Sequence, residues 1–217
     1  MLKVRPRGGM LSTLRAKMAL SVLNFLIRRV VGRFNFKGVT VNVPKGCFPP
    51  VLVSTGLLYD AAVGVINGSK GCEIGTGVGS AALSLAKRLG VEVVGTEISL
   101  RCLREAAANA AGNKLSSLFH PVACVGAQAF RSCSLDFVVV NPPYLPLPPS
   151  GPAGAAACGG ERLELLNTLL DDAVRVLKKE GTLVFTTSSL TLVSGAELLR
   201  RRPALFDSVE AYLYVKL

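Results

Sequence analysis

The apolar positions change period along the chain. From residue 10 to 31 they recur at helical spacing, with Leu11, Leu14, Met18, Val22, Phe25 and Arg29 on one stripe and Arg15, Lys17 and Arg28 on other faces, which predicts a basic amphipathic helix. Residues 34–43 alternate apolar and polar about Lys37-Gly38, the pattern of a short hairpin. A Pro-rich turn leads to a helix over 55–65, capped by Ser54 or Thr55. From residue 70 strands and helices alternate: strand 71–75, helix 79–89, strand 91–96, helix 100–111, strands 121–126 and 135–140, helix 162–178, strand 182–187, helix 190–201, and an extended stretch over 209–215. Strands interleaved with helices of this length predict an α/β fold, a doubly wound and mostly parallel sheet. The expected division is a basic arm over residues 1–33 and one domain over 34–217. Residues 146–160, rich in Pro, Gly and Ala, are expected to form a loop able to act as a substrate lid.

The strand over 135–140 is a buried-type run that ends on Asn141-Pro142-Pro143-Tyr144. Two prolines cannot continue a ladder, so this tetrapeptide lies at a carboxyl strand end, the edge where open parallel sheets bind ligands. A primary amide and an aromatic ring on a stiff loop there form a site candidate; a turn without chemistry is the alternative.

Composition adds a charge asymmetry. The 217 residues, half of them apolar, suffice for one good-sized domain. The net charge is +11, yet residues 1–59 hold ten Lys/Arg and no Asp/Glu, while the remainder is nearly neutral. Such a field suggests an anionic partner, RNA, DNA or a ribonucleoprotein, with an anionic membrane surface or simple solubility as alternatives. Six cysteines without a C-x-x-C pair, and one histidine, His120, argue against a metal site. They read as reduced, mostly buried thiols of a cytoplasmic protein. The most apolar part of the first helix, residues 18–27, is too short to span a bilayer, so no membrane span is expected.

The strand over 71–75 runs into Glu73-Ile74-Gly75-Thr76-Gly77-Val78-Gly79, and Glu97 follows about twenty positions on. Glycines permit a sharp turn and close approach of a ligand; a carboxylate at that distance can accept both hydroxyls of a ribose. An adenosine-containing cofactor is expected. The third glycine comes one residue early for a dinucleotide fingerprint, and Glu73 is an acid before the turn, which together favour S-adenosylmethionine. Glu73 can meet the donor's cationic amino group or cap its own loop.

With the glycine turn, Glu97 and Asn-Pro-Pro-Tyr in this order, the chain resembles the class I S-adenosylmethionine-dependent methyltransferases, which are Rossmann-like. Within them it is similar to the HemK/PrmC-type enzymes, which methylate a glutamine side chain of peptide release factors. The likeness runs from about residue 34 to 201 and includes "FPPVLVSTGLLYDA" and "GGERLELLNTLLDDAVRVLKKEGTLVF". It implies donor binding by Glu73, Gly75, Thr76, Gly77, Gly79, Glu97, Ile98, Gln128 and Asn141. It also implies catalysis by Asn141, Pro142 and Tyr144, with Pro143 and Thr55 joining them at the substrate. Asn-Pro-Pro-Tyr is shared with enzymes that methylate adenine or cytosine amino groups, so RNA or DNA adenine N6 is the alternative acceptor. Val53 and Ser54 stand where short archaeal and eukaryotic members carry an acidic pair, and Gln128 where an Asp is usual. The chain resembles that short form. Its closing antiparallel strands are expected to be shortened, the arm over 1–37 to contact RNA or the ribosome, and a small activator subunit to be a possible partner.

Overall fold

The computed structural model describes residues 2–217; Met1, the first residue of the expected arm, lies outside the described residues. In chain order the elements are β1 (Lys3–Pro6), α1 (Met10–Arg29), β2 (Gly32–Phe36), β3 (Val39–Val43), α2 (Val53–Ala62), β4 (Lys70–Ile74), α3 (Ser80–Leu89), β5 (Glu92–Glu97), α4 (Leu100–Gly112), β6 (Phe119–Ala123) and β7 (Leu135–Val140). They continue with α5 (Gly151–Ala157), α6 (Glu164–Val176), β8 (Leu177–Ser188), β9 (Thr191–Ser194), β10 (Glu197–Pro203) and β11 (Ser208–Val215). The central sheet has seven strands in the order β10-β11-β8-β7-β4-β5-β6. The five strands from β8 to β6 are parallel, and β11 runs antiparallel to both of its neighbours. This is the expected α/β architecture.

Strand alternation builds a core on each face. Phe137 and Val139 of β7 enter one cluster with Leu57, Leu85 and Phe119, while Val138 and Val140 enter the other with Leu166, Leu170 and Phe185. These side chains are almost wholly buried, each contributing about 1.5–3 kcal/mol of transfer free energy. The β2–β3 hairpin turns at Lys37 and Gly38, both with positive φ (48° and 87°), as a tight two-residue turn requires.

Four expectations are corrected. Residues 190–201 are not a helix: β9 and β10 occupy them, separated by a turn in which Gly195 has φ 80°. The run Glu197 to Arg202 is rich in helix formers, but β11 offers an open edge, and pairing with it from Glu197↔Leu213 to Pro203↔Ser208 outweighs local propensity. The closing antiparallel pair is therefore full length. Residues 146–160 are not a loose lid. They contain α5 and are tied down by Leu145 N–H to Ala157 O (2.8 Å) and Gly159 N–H to Leu145 O (2.9 Å), with Leu145, Leu147, Ala157 and Cys158 buried. Finally, the thiols are not all reduced: Cys47 and Cys102 form a disulfide, their Cα atoms 5.8 Å apart, and Cys133 is exposed.

Residues 2–33 are tied to the body at two places. β1 pairs antiparallel with β9, and the Asn167 side chain of α6 brackets Val4, accepting from its N–H (3.0 Å) and donating to its C=O (2.9 Å). Ala16, Leu23 and Ile27 of α1 pack on Leu145, Leu147 and Ala157. Most of α1 is otherwise exposed, and by length and composition alone it is long and apolar enough to cross a membrane.

Candidate active site

The chain leaves β4 for β5 and β6 on one side of the sheet, then returns to β7 and β8 on the other, so a crevice opens at the carboxyl ends of β4 and β7. Ile74 pairs with Val140 across these strands. The next residues, Gly75 and Asn141, thus leave the sheet side by side. The two motifs that the sequence separates by more than sixty positions meet here.

The glycine turn borders a cleft of about 60 Å³ lined by Thr55, Glu73, Gly75, Gly77, Ser80 and Asn141, among others. Gly75 and Gly77 have φ 71° and 55°, and a Cβ on either would meet no protein atom within 4 Å, so the turn faces open space. Gly79 (φ 86°) instead packs closely, a Cβ there approaching Leu83 at 3.2 Å. Glu73 is buried and caps its own loop through one carboxylate oxygen, which accepts from Thr76 Oγ1 (2.7 Å) and Ala82 N–H (2.9 Å). Burial raises its pKa to about 7, against the pull of these two donors. Ser80, at the first position of α3, has a buried hydroxyl with no partner among the described residues and lines the same cleft. An unspent hydroxyl at a helix amino terminus, a bare glycine turn and a buried acid fit the amino-acid end of the expected methyl donor.

Glu97 holds the turn from behind. Its two oxygens accept from Gly77 N–H (3.0 Å) and Ser99 N–H (2.9 Å), joining the glycine turn to the amino terminus of α4. Ile98 and Gln128 are exposed beyond the carboxyl ends of β5 and β6, outside the enclosed cleft. Thr55, expected on the substrate side, lies in the donor-side cleft. Glu97→Ala is expected to weaken donor binding at least tenfold, because it frees the glycine turn from the start of α4 and removes the carboxylate expected to meet the ribose. Isothermal calorimetry reads this directly, and unchanged affinity would remove Glu97 from the site.

Asn141 lines both this cleft and a larger, mostly apolar pocket of about 320 Å³. Its Oδ1 accepts from Thr186 Oγ1 (2.6 Å) and its Nδ2 donates to Ser54 Oγ (3.1 Å). Both hydroxyl residues are buried, so the amide plane is fixed from two sides. Pro142 and Tyr144 also line the larger pocket; Pro143 does not. Burial and the neighbouring Asp207 charge hold the Tyr144 phenol neutral, its pKa well above the ordinary value. Asp207 lines the pocket too, its own pKa raised by burial although Ser188 donates to it. Sequence reasoning missed Ser80 and Thr186, which sit in runs without unusual spacing. Ser54 was visible as a replaced acidic position and as a candidate helix cap, but α2 starts at Val53 with Leu52 before it and no side-chain cap, and Ser54 instead meets Asn141. Among the described residues no group of three or more His, Cys, Asp or Glu is arranged to hold a metal.

Comparisons with known proteins bear on the family and the fold. The family model of the methyltransferase small domain matches residues 54–200. A release factor glutamine methyltransferase from Agrobacterium fabrum is 30% identical over 175 residues, covering 72% of this chain and 60% of that protein. The chain thus spans about three fifths of that relative's length. Among solved structures, TrmN from Thermus thermophilus superposes with a TM-score of 0.56 at 20% identity, over 75% of this chain and 49% of that one. PH0226 from Pyrococcus horikoshii gives 0.55 at 15% identity, over 74% and 88%. Both share the fold.

Proposed function

This chain belongs to the methyltransferase small domain family, and we propose that it transfers a methyl group from S-adenosylmethionine to a planar amide nitrogen, the glutamine side chain of a peptide release factor. The observation that carries the reading is that Asn141 lines both the cleft beside the glycine turn and the larger pocket, which supports a place for it between donor and acceptor. Similarity to a release factor glutamine methyltransferase supports the choice of acceptor.

An amide nitrogen is a poor nucleophile because its lone pair is delocalised into the carbonyl. The donor supplies a methyl group on a cationic sulfur. Thr186 occupies one lone pair of Asn141 Oδ1 and leaves the other for an N–H of the acceptor; the Pro142 carbonyl takes the second N–H. These two acceptors fix the NH₂ plane and draw electron density to nitrogen as the new bond forms. Pro142 and Pro143 keep the carbonyl still and offer no competing N–H. Tyr144 lies against the planar group. No carboxylate is required as base, since the methylated cation is acidic enough to lose its proton to water. The apolar walls exclude solvent and strengthen each of these interactions.

A second reading, transfer to the N6 amine of adenine in RNA or DNA, is favoured by the ten basic and no acidic residues before Asp60. The test uses radiolabelled donor with an acetylated Gly-Gly-Gln peptide and, separately, an adenine-containing RNA oligonucleotide. Label stable to nuclease and carried by the peptide glutamine is the expected result. Label on the oligonucleotide alone overturns the protein reading.

A further inference from the structure

The larger pocket opens outward into a groove of about 500 Å³, and residues 204–207 of the β10–β11 turn line both. The opposite wall of the inner pocket is α1, through Val22, Leu23 and Leu26. The groove continues along the earlier turns of the same helix, through Leu11, Leu14 and Met18. Leu11 is 61%, Leu14 53% and Leu205 75% exposed. Apolar side chains are thus left in water along a concave track that ends at Asn141. The track has few charges. Arg15 and Asp207, one of each sign, are the charged residues that line it.

We infer that this groove seats the polypeptide that carries the acceptor, with apolar residues flanking the acceptor packed on Leu11, Leu14 and Leu205 while the acceptor side chain enters the inner pocket. The inference rests on the reading of the site as an amide methyltransferase and adds what surrounds the amide in the substrate. A nucleic-acid strand fits the groove poorly, because its phosphates need cations and the lining offers one Arg, matched by one Asp. A bilayer fits poorly because the surface is concave, with the 204–207 turn standing opposite the helix. An extended peptide fits: its side chains reach alternately to either wall, and burying them drives association.

The test uses the full chain, labelled donor and three peptides: acetyl-Gly-Gly-Gln-amide, a twenty-residue peptide with the same centre and Leu, Val and Phe on its flanks, and its counterpart with Ser flanks. The apolar-flanked peptide is expected to show a KM at least tenfold below that of the Ser-flanked one, with similar kcat. The double variant Leu11→Lys/Leu14→Lys changes two exposed residues that line the groove but not the inner pocket, so the fold is spared. It should erase that KM difference while leaving the short peptide's kcat/KM and the donor affinity unchanged. Equal KM values for both long peptides, together with turnover of the short one, overturn the groove and leave the amide reading standing. No label on any peptide overturns both. The groove inference also falls if the double variant instead abolishes methylation of an RNA oligonucleotide, flotation with anionic vesicles, or self-association measured by light scattering.

Discussion

Asn141→Ala is expected to slow methyl transfer on the order of 10²–10³-fold while leaving donor affinity nearly intact, the size of effect seen when one preorganised acceptor or donor of a developing charge is lost. The change removes the Oδ1 proposed to face the acceptor nitrogen and keeps the backbone carbonyl of Pro142, so part of the alignment survives. It also strips the buried Thr186 and Ser54 hydroxyls of their partner, which costs about 1–3 kcal/mol of stability. Activity therefore has to be compared below the melting transition of the variant. Asn141→Asp keeps an oxygen toward Thr186 and another toward Ser54, whose hydroxyl rotates to donate. It should fold more stably than the alanine variant and retain more turnover. Single-turnover rates with labelled donor, with calorimetry for donor binding, separate the two effects. Wild-type turnover in Asn141→Ala would exclude the amide from the reaction.

The second large effect lies outside the reaction. Cys47 and Cys102 close a loop across 55 positions, and both are buried. Loop-closure entropy for that length amounts to about 4 kcal/mol, so the Cys47→Ser/Cys102→Ser variant should melt roughly 8–16 °C lower than the oxidised protein. The reduced wild-type protein should fall in the same direction, while Cys133→Ser, at an exposed free thiol, leaves the midpoint unchanged. The bond also bears on the site. Cys47 precedes Phe48, which lines both the donor-side cleft and the larger pocket, and the bond anchors that segment to α4. Loosening it should raise the KM for donor as well as lower stability. A melting midpoint indifferent to reductant would show that the bond contributes nothing to the folded state. A disulfide does not fix the compartment, since intracellular proteins of hyperthermophiles carry them.

Much of the fold was legible because its signals are local. The β-branched run before Asn141-Pro142-Pro143-Tyr144 had to be a strand that stops, and the glycines at 75, 77 and 79 had to be a turn, since each needs a positive φ. Outside residues 146–160, the strand and helix periods from residue 70 to 188 likewise depend on near neighbours alone, and a parallel sheet with a crevice at its switch point follows from them. What escaped the sequence depends on residues distant in the chain. Glu197 to Arg202 became a strand because β11 stood beside it with an open edge. Ser54 and Thr186 clasp Asn141 from 87 and 45 positions away. Cys47 found Cys102 because the hairpin segment packs on α4, and α1 became a wall of the pocket because Leu23 and Ile27 bury against the chain that follows the site. Periodicity and backbone sterics are written residue by residue; which surfaces meet is settled only when the whole chain buries its apolar area at once.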